Sequence, residues 1–382
     1  MNVHSHLCRF VADHPRDFEA LLAQDYAVKA KREGALAIFN YTFGCRFSDP
    51  IVQEARGIVI NADTCEVVCW PFRKFGNHNE PYADEIDWSS ARVQEKIDGS
   101  IIKLWFDAQG GHWQFSTNGT IRAEQAPIEG TPALSFADVI RRADNYAAIP
   151  FDALDPTLTY VFELISPDTR VLIKYDRTTL YHIGTRSNVT GLECDVDIGI
   201  RKPRSFPLRT LEDCLHAATA LNPPCQSTDE VEKEGFVVVD GRWNRVKIKS
   251  PDYIMMHRLI QMNDMSKTEC ITLLREDPVK VTRLCAANPP LVPLFKYYDY
   301  RLAELRYTAD RIALLARNLF AEYSHDRGAV ARVIGKHPLA HVGFRALECT
   351  QSGRDLLDAY TADKLAKLIP DYVREDLSAL FH

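Results

Sequence analysis

Apolar residues recur along this chain with two different periods, and the change from one to the other divides it. Residues 1–34 carry an apolar series around Phe10, Phe18, Leu21, Leu22 and Tyr26 at helical spacing, which predicts helix there. From Ala35 to about Lys249 the apolar residues come in short runs: ALAIFNY, RGIVI, EVVCW, IIKLWF, TYVFELI, TLYHIG and GFVVV. Turn-formers such as Asp107–Gly111 and Asp240–Gly241 separate them, so these runs predict strands. One helix is expected among them at Ser135–Asn145, with Ser135 as its cap. After Pro251 the period lengthens. YIMMHRLIQM, KTECITLLRE and DYRLAELRYTADRIALLARNLFAEY place apolar residues three and four apart, with arginines between them. The expected architecture is α+β: a strand-rich domain over 1–257, then an all-helical domain over 258–382. No internal repeat or low-complexity segment is visible.

Length agrees with that division, since 382 residues exceed what one ordinary core organises. Hydrophobic residues make up 46% and charged residues 26%, the balance of a globular protein. No run of eighteen apolar residues occurs, so no membrane span is expected. The start, MNVHSHLCRF, lacks a basic segment followed by an apolar one, and the expected location is cytoplasmic. The ten cysteines are scattered; Cys65 and Cys69 are close but have no second pair at zinc-site spacing, which points to reduced thiols. Formal net charge is −6, with 28 basic against 35 acidic residues up to position 250 and 18 against 17 beyond it. A nucleic-acid surface would therefore have to be a local patch and not a global field.

The residue pattern with the most chemistry is Lys96-Ile97-Asp98-Gly99, between ARVQE and the strand run SIIKLWF. A lysine before a tight Asp-Gly turn can serve as a covalent nucleophile, but its amine must be neutral to attack. An ordinary lysine is neutral only about once in a few thousand molecules at pH 7. Burial or nearby positive charge raises that fraction. The competing reading is an exposed lysine beside a hairpin. Downstream, Glu234-Gly235-Phe236-Val237-Val238-Val239-Asp240 and Arg245-Val246-Lys247-Ile248-Lys249 form a hairpin pattern. Alternation puts Arg245, Lys247 and Lys249 on one face and Val246 and Ile248 on the other. Lysines about 7 Å apart on one face repel unless an anion lies between them, and a triphosphate is such an anion. In Thr159–Ile165, Glu163 sits alone in an apolar strand, where a carboxylate needs a partner: a ribose hydroxyl, a metal or a neighbouring arginine.

Taken in order, these segments resemble the covalent nucleotidyltransferase superfamily of polynucleotide ligases and capping enzymes. Lys96-Ile97-Asp98-Gly99 resembles its motif I, Phe162-Glu163 motif III, Leu180–Arg186 motif IIIa, Glu234-Gly235 motif IV and Lys247-Ile248-Lys249 motif V. Closer still is the RNA ligase 1 type of T-even bacteriophages. Glu54-Ala55-Arg56-Gly57-Ile58, Phe72-Arg73-Lys74-Phe75, the Pro167…Arg170…Tyr175 run and Lys249-Ser250…Tyr253 are similar to that type. The resemblance covers about residues 35–258 by motif and the helical remainder by character. It implies an antiparallel-sheet nucleotidyltransferase domain, ATP-grasp-like, ahead of the helices.

The resemblance also implies roles. Lys96 would be the adenylated nucleophile, with Gly99 beside it. Glu163 would contact the ribose or a metal, and Glu234 would help place a divalent metal, Mg2+ or Mn2+. Lys247 and Lys249 would hold the ATP phosphates and count among the catalytic groups. Arg56 and Lys74 would flank the nucleotide or the RNA end, with Arg186 and Tyr253 as further nucleotide and RNA contacts. At Ser116-Thr117-Asn118-Gly119-Thr120 the sequence departs from the type, which often has a lysine there. Asn118 is expected to substitute through hydrogen bonds only.

By the same resemblance the chain would join 5′-phosphate and 3′-hydroxyl RNA ends, through lysyl-AMP and then adenylated RNA. The RNA would include structured molecules such as a broken tRNA, in RNA repair, with no obligate protein partner. Two alternatives share parts of the pattern. A DNA ligase or capping guanylyltransferase would have the motifs but would place a strand-built barrel after Lys249. A non-catalytic RNA-binding relative would have no need of Lys96, Glu163, Glu234, Lys247 and Lys249 together. In the helical region, Lys296, Arg301, Arg306, Arg311 and Arg317 alternate with Tyr297, Tyr298, Tyr300 and Tyr307. Basic and aromatic residues so mixed suit RNA, and Arg301 and Arg306 are the candidate contacts. Their five-residue spacing spreads them around a helix, and Asp299, Glu304 and Asp310 can pair with several of them.

Overall fold

The structure is a computed structural model, and it describes residues 5–128, 131–169, 171–173, 175–221, 234–262, 265–287 and 289–372. The chain forms two compact units, Met1–Met255 and Met256–His382.

Unit one opens with helices α1 (His6–Asp13) and α2 (Phe18–Tyr26). The helix expected to run to residue 34 stops at Ala27, which takes a left-handed conformation (φ 53°). Strand β1 (Val28–Glu33) replaces its end and pairs with β2 (Leu36–Tyr41) around Gly34. After the short helix α3 (Pro50–Glu54), β3 (Arg56–Asn61) and β4 (Glu66–Cys69) complete a sheet in the order β1-β2-β3-β4. Then follow β5 (Arg92–Glu95), β6 (Ser100–Asp107), β7 (His112–Thr117), β8 (Pro127–Ile128) and β9 (Thr131–Ser135). Helix α4 (Phe136–Arg141) is shorter than expected but starts where expected, with Ser135 and Asp138 forming a capping box. Next come β10 (Leu158–Ile165), β11 (Thr179–Ser187), β12 (Glu193–Cys194), β13 (Ser205–Phe206), α5 (Leu211–Thr219), β14 (Gly235–Val239) and β15 (Arg245–Lys249).

Two antiparallel sheets, β12-β11-β10-β6-β7 and β13-β5-β14-β15, frame the site. Each has one face committed to its own core. On the first, Ile102, Leu104, Tyr160, Phe162, Leu164 and Leu180 bury against Val139 and Ile140 of α4. On the second, Val93, Phe236, Val238, Val246 and Ile248 bury against Cys214 and Ala218 of α5. Side chains alternate along a strand, so the opposite faces look toward each other. There Ile101, Val161, Ile183 and Val237 meet Phe72 and Phe75. The candidate site lies at that junction.

Unit two is helical. Among the described residues no strand follows Lys249. Its elements are the end of α6 (Pro251–Met262), then α7 (Lys267–Glu276), α8 (Pro278–Ala287), α9 (Val292–Glu322), α10 (Arg327–Ile334), α11 (Ala340–Ala346), α12 (Gly353–Asp358) and α13 (Ala362–Ala366). The long α9 is the spine; Ile312 and Ala316 on it pack with Val330 and Ile334 of α10.

Candidate active site

Lys96 follows β5 and is tied to β14 by its backbone N–H, which donates to the Gly235 carbonyl at 2.9 Å. Its Nζ lies 2.5 Å from Oε2 of Glu234, while Lys249 Nζ lies 2.8 Å from Oε1 of the same carboxylate. Glu234 is only 2% exposed and thus bridges two ammonium groups from adjoining segments. Burial alone pushes the Lys96 ammonium down, but Glu234, Glu163 and Asp98 outweigh it, and its pKa stands above the ordinary lysine value. In this state the residue is a paired ammonium. Gly235 has φ 145°, and a Cβ there would stand 2.1 Å from the Ile248 carbonyl oxygen, so glycine is dictated at this position by backbone geometry.

Asp98 is a clamp as well as a turn residue. Its Oδ2 accepts from the backbone N–H groups of Leu172 (3.0 Å) and Ile173 (2.7 Å). Its Oδ1 accepts from the Tyr253 hydroxyl at 2.6 Å, and its own N–H donates to the Tyr175 hydroxyl at 3.3 Å. Gly99 must be glycine because a Cβ would come 2.4 Å from the Leu164 carbonyl oxygen on β10. The Lys96–Gly99 loop is therefore held from several sides.

Glu163 is half-buried on the face of β10 that looks into the site. Burial pushes its carboxyl up to about 7, against the pull of Lys96 and Arg56 and with that of Glu234. Around it stand cations on aromatic rings. Arg56 lies over Phe75 at 5.5 Å, Lys247 over Phe75 at 4.6 Å, and Lys74 over Phe47 at 4.8 Å. Burial, and then the charges of Arg56, Lys74, Lys96 and Lys249, push the Lys247 ammonium down to about 6. Burial first and Arg56 second also lower Lys74, and burial lowers Arg56. Lys247 donates to the Phe75 carbonyl at 3.0 Å.

Lys96, Glu163, Glu234, Lys247, Lys249, Arg56, Lys74 and Gly99 are thus brought together. Other residues are placed differently. Arg245 shares the strand face of Lys247, yet it is buried in a two-pronged ion pair with Glu193 and stacks on Phe72 at 4.1 Å. Arg186 donates to the carbonyls of Gly191 and Pro71 and lies over Trp70 at 4.5 Å, which makes it a brace between strands. Tyr253 is 2% exposed, so its side chain offers no surface to an RNA and serves Asp98 instead. Glu54 accepts from Ser5 and from the N–H groups of His6 and Leu7, anchoring α1. Arg73 pairs with Asp84 at 2.8 Å. Arg170 lies outside the described residues. Glu234 meets the two ammonium groups with both carboxylate oxygens, and Glu163 is the less encumbered of the two metal candidates.

On α9, Arg301 pairs with Glu304 and Arg306 with Asp358, both at 2.9 Å. Arg317 donates to the carbonyls of Ala346, Cys349 and Gln351. Tyr297 and Tyr298 are buried, whereas Tyr300 and Tyr307 are 49% and 61% exposed. The outward aromatic positions lie seven residues apart on one face, with Arg311 over Tyr307 at 5.8 Å. The sequence reading missed Phe75 as the ring under two cations and Asp98 as a clamp. Phe75 is within FRKF, but nothing in a run of four residues says which ring lies beneath which charge.

A lysine paired with a buried carboxylate, at the junction of two antiparallel sheets and ringed by strand-borne cations, is chemistry suited to a phosphorylated nucleotide. The sequence pattern of the RNA ligase family matches residues 54–253, just over half the chain, and the chain belongs to that family. It is 30% identical over 263 residues to a protein of Autographa californica nuclear polyhedrosis virus named provisionally as a bifunctional polynucleotide kinase/RNA ligase, covering 62% of this chain and 36% of that one. It is 24% identical over 292 residues to an RNA ligase of Rhodothermus phage RM378, covering 61% of this chain and 66% of that one. The chain therefore spans about a third of the first relative and just under two thirds of the second. Among solved structures, an archaeal ATP-dependent RNA ligase aligns with TM-score 0.45 at 15% identity over 75% of this chain and 78% of that one. A Naegleria gruberi RNA ligase mutant with ATP and Mn gives TM-score 0.34 at 17% identity over 44% and 52%. No described helix is long and apolar enough to cross a membrane.

Proposed function

We propose that this protein is an ATP-dependent RNA ligase that works through an AMP bonded to Lys96. The observation that carries this reading is the convergence of Lys96, bridged through Glu234 to Lys249, with Lys247, Arg56 and Lys74 around one junction. Burial disfavours the cationic forms of Lys247, Lys74 and Arg56, and repulsion from neighbouring cations adds to it at Lys247 and Lys74. A polyphosphate relieves both penalties.

In the first step the Lys96 amine attacks the α-phosphorus of ATP, a P–N bond forms, and pyrophosphate departs. Glu234, in contact with Nζ, is placed to receive the lysine proton. Lys247 and Lys249 neutralise the leaving phosphates. A terminal 5′-phosphate oxygen of RNA then attacks the same phosphorus, the P–N bond breaks, and the AMP is carried as a 5′–5′ anhydride. A 3′-hydroxyl attacks the RNA phosphate, AMP leaves, and the strand is joined. The protein's main contribution is alignment of in-line reactants. Glu163, joined by Glu234 where its ion pairs with Lys96 and Lys249 open, would hold Mg2+ or Mn2+, which commonly binds one or two carboxylates and substrate phosphates. When bound, it would add charge neutralisation at the transferring phosphate.

The deciding experiment offers ATP together with single-stranded RNA bearing 5′-phosphate and 3′-hydroxyl ends, and in parallel a nicked DNA duplex. RNA joining with poor DNA sealing is expected. Efficient sealing of the nick without RNA joining would favour the DNA ligase reading, though the helical region after Lys249 already differs from the strand-built barrel which that reading needs.

We further propose that the helical unit selects the RNA, tRNA-like molecules included, and takes no part in the chemistry. The outward face of α9 is its best contact surface, with Tyr300, Tyr307 and Arg311 replacing the internally paired Arg301 and Arg306. Substituting alanine at Tyr300, Tyr307 and Arg311 together is expected to leave self-adenylation unchanged. It should weaken joining of a tRNA-like substrate about tenfold relative to a linear one. An unaltered substrate ranking would remove this surface from consideration.

A further inference from the structure

Lys103 is fully buried on β6 and belongs to none of the motifs read above. It is opposite Val161 on β10 and Ser116 on β7, and Ile101 is opposite Glu163. Directly paired residues share a face. Lys103 therefore leaves the sheet on the same side as Glu163, toward the site. Its ammonium donates to the Gly57 carbonyl at 2.9 Å and to the Thr117 carbonyl. Gly57 follows Arg56 directly and has φ 81°. A Cβ at position 57 would stand 2.5 Å from Lys103 Nζ and 3.0 Å from both Cα and the carbonyl oxygen of Asn118. Arg56 and Asn118 are thus carried by segments in van der Waals contact, and Lys103 ties both segments from beneath. The Asn118 Oδ1 is shielded from solvent and accepts no hydrogen bond in the described structure.

No carboxylate among the described residues pairs with Lys103; its neighbours are Cys69, whose thiol burial pushes up to about 11, and Arg56, which has the same sign as Lys103. Burial pushes its ammonium down to about 8. A buried cation without a counter-ion is a costly way to satisfy two carbonyls. Simple packing would be met by methionine. The cost makes sense if the site needs both the crosslink and the charge.

We infer that Lys103 is a positioning residue of the nucleotide pocket, holding Arg56 and Asn118 side by side so that Asn118 Oδ1 accepts a hydrogen bond from a hydroxyl or amino group of the bound nucleoside. This rests on the ATP reading above and deepens it. A ligand donor would satisfy a buried acceptor that the described residues leave unmatched, while Arg56 would lie against the same ligand.

The test compares self-adenylation against ATP concentration for the wild type, Lys103→Met, Asn118→Ala and the double variant, with thermal midpoints. Lys103→Met is expected to raise the half-saturating ATP concentration about tenfold with the saturating rate within about threefold, and Asn118→Ala to do the same. The double variant should be no worse than either single one, because both act through one contact. The midpoint of Lys103→Met should not fall by more than that of Asn118→Ala. Wild-type half-saturation in either single variant, or additive effects in the double, overturns the inference. Asn118 is on a surface turn, so its variant remains informative even where Lys103→Met fails to fold. Absence of ATP labelling in the wild type would instead overturn the ligase reading itself.

Discussion

Replacing Lys96 by arginine should abolish transfer of label from [α-32P]ATP to the protein, a fall of more than about a thousandfold, while the protein stays folded. Arginine can retain a charged contact with Glu234, so the carboxylate keeps a cation in place of the ammonium now at 2.5 Å. A guanidinium cannot give up its proton in this pH range, so it cannot become the nucleophile. Lys96→Ala should lose label as well, and should also lower stability, because it removes one of the two ammonium groups that the buried Glu234 carboxylate meets. Both variants should still seal RNA supplied with AMP already on its 5′ end, since that last step breaks no lysine bond. Loss of that sealing in Lys96→Arg would assign the lysine a role beyond the first transfer. Label retained at the wild-type level would exclude it as the nucleophile.

Lys247 carries the second large effect. Its folded pKa, about 6, lies far below the 10.5 of a free lysine. A depressed lysine pKa means that the fold disfavours the proton, so the stability it costs appears as pH falls from about 10 toward 6. Lys247→Met should therefore raise or preserve the thermal midpoint at pH 7. ATP binding acts in the opposite sense: a triphosphate stabilises the ammonium and raises its pKa, so binding takes up a proton. With an analogue carrying a methylene between the α- and β-phosphates, calorimetry at pH 8 in buffers of different ionisation heat should show uptake of about one proton. Affinity should weaken between pH 6 and 9, by at most about tenfold per pH unit. Lys247→Met should flatten that dependence and reduce self-adenylation about a hundredfold at limiting ATP. Equal proton uptake by wild type and variant would place the titrating group elsewhere.

The strand-rich first unit and helical second were legible because the apolar period changes near Pro251, and period is a property of the sequence itself. The hairpin of Arg245–Lys249 was legible for the same reason: Val246 and Ile248 are buried, and Lys247 and Lys249 face the site. Val28–Glu33 was not, because VKAKRE is too polar to announce a strand and its state depends on pairing with Leu36–Tyr41. The outcomes for Arg186, Arg245, Arg301 and Arg306 show a second limit. A cation's partner is set by tertiary neighbours: Gly191 and Pro71, Glu193, Glu304, and Asp358 in turn. Spacing along a strand gave the face of Arg245 but not the carboxylate that occupies it. Asp98 and Tyr253 stand 155 residues apart, and no local pattern could join them.

The most direct measurement is made on the unaltered protein. After incubation with ATP and Mg2+, then denaturation, mass spectrometry should find one AMP per chain. Peptide mapping should place it on Lys96 through an acid-labile P–N bond. A denatured protein free of AMP after turnover, or AMP bonded to any other residue, would contradict the account.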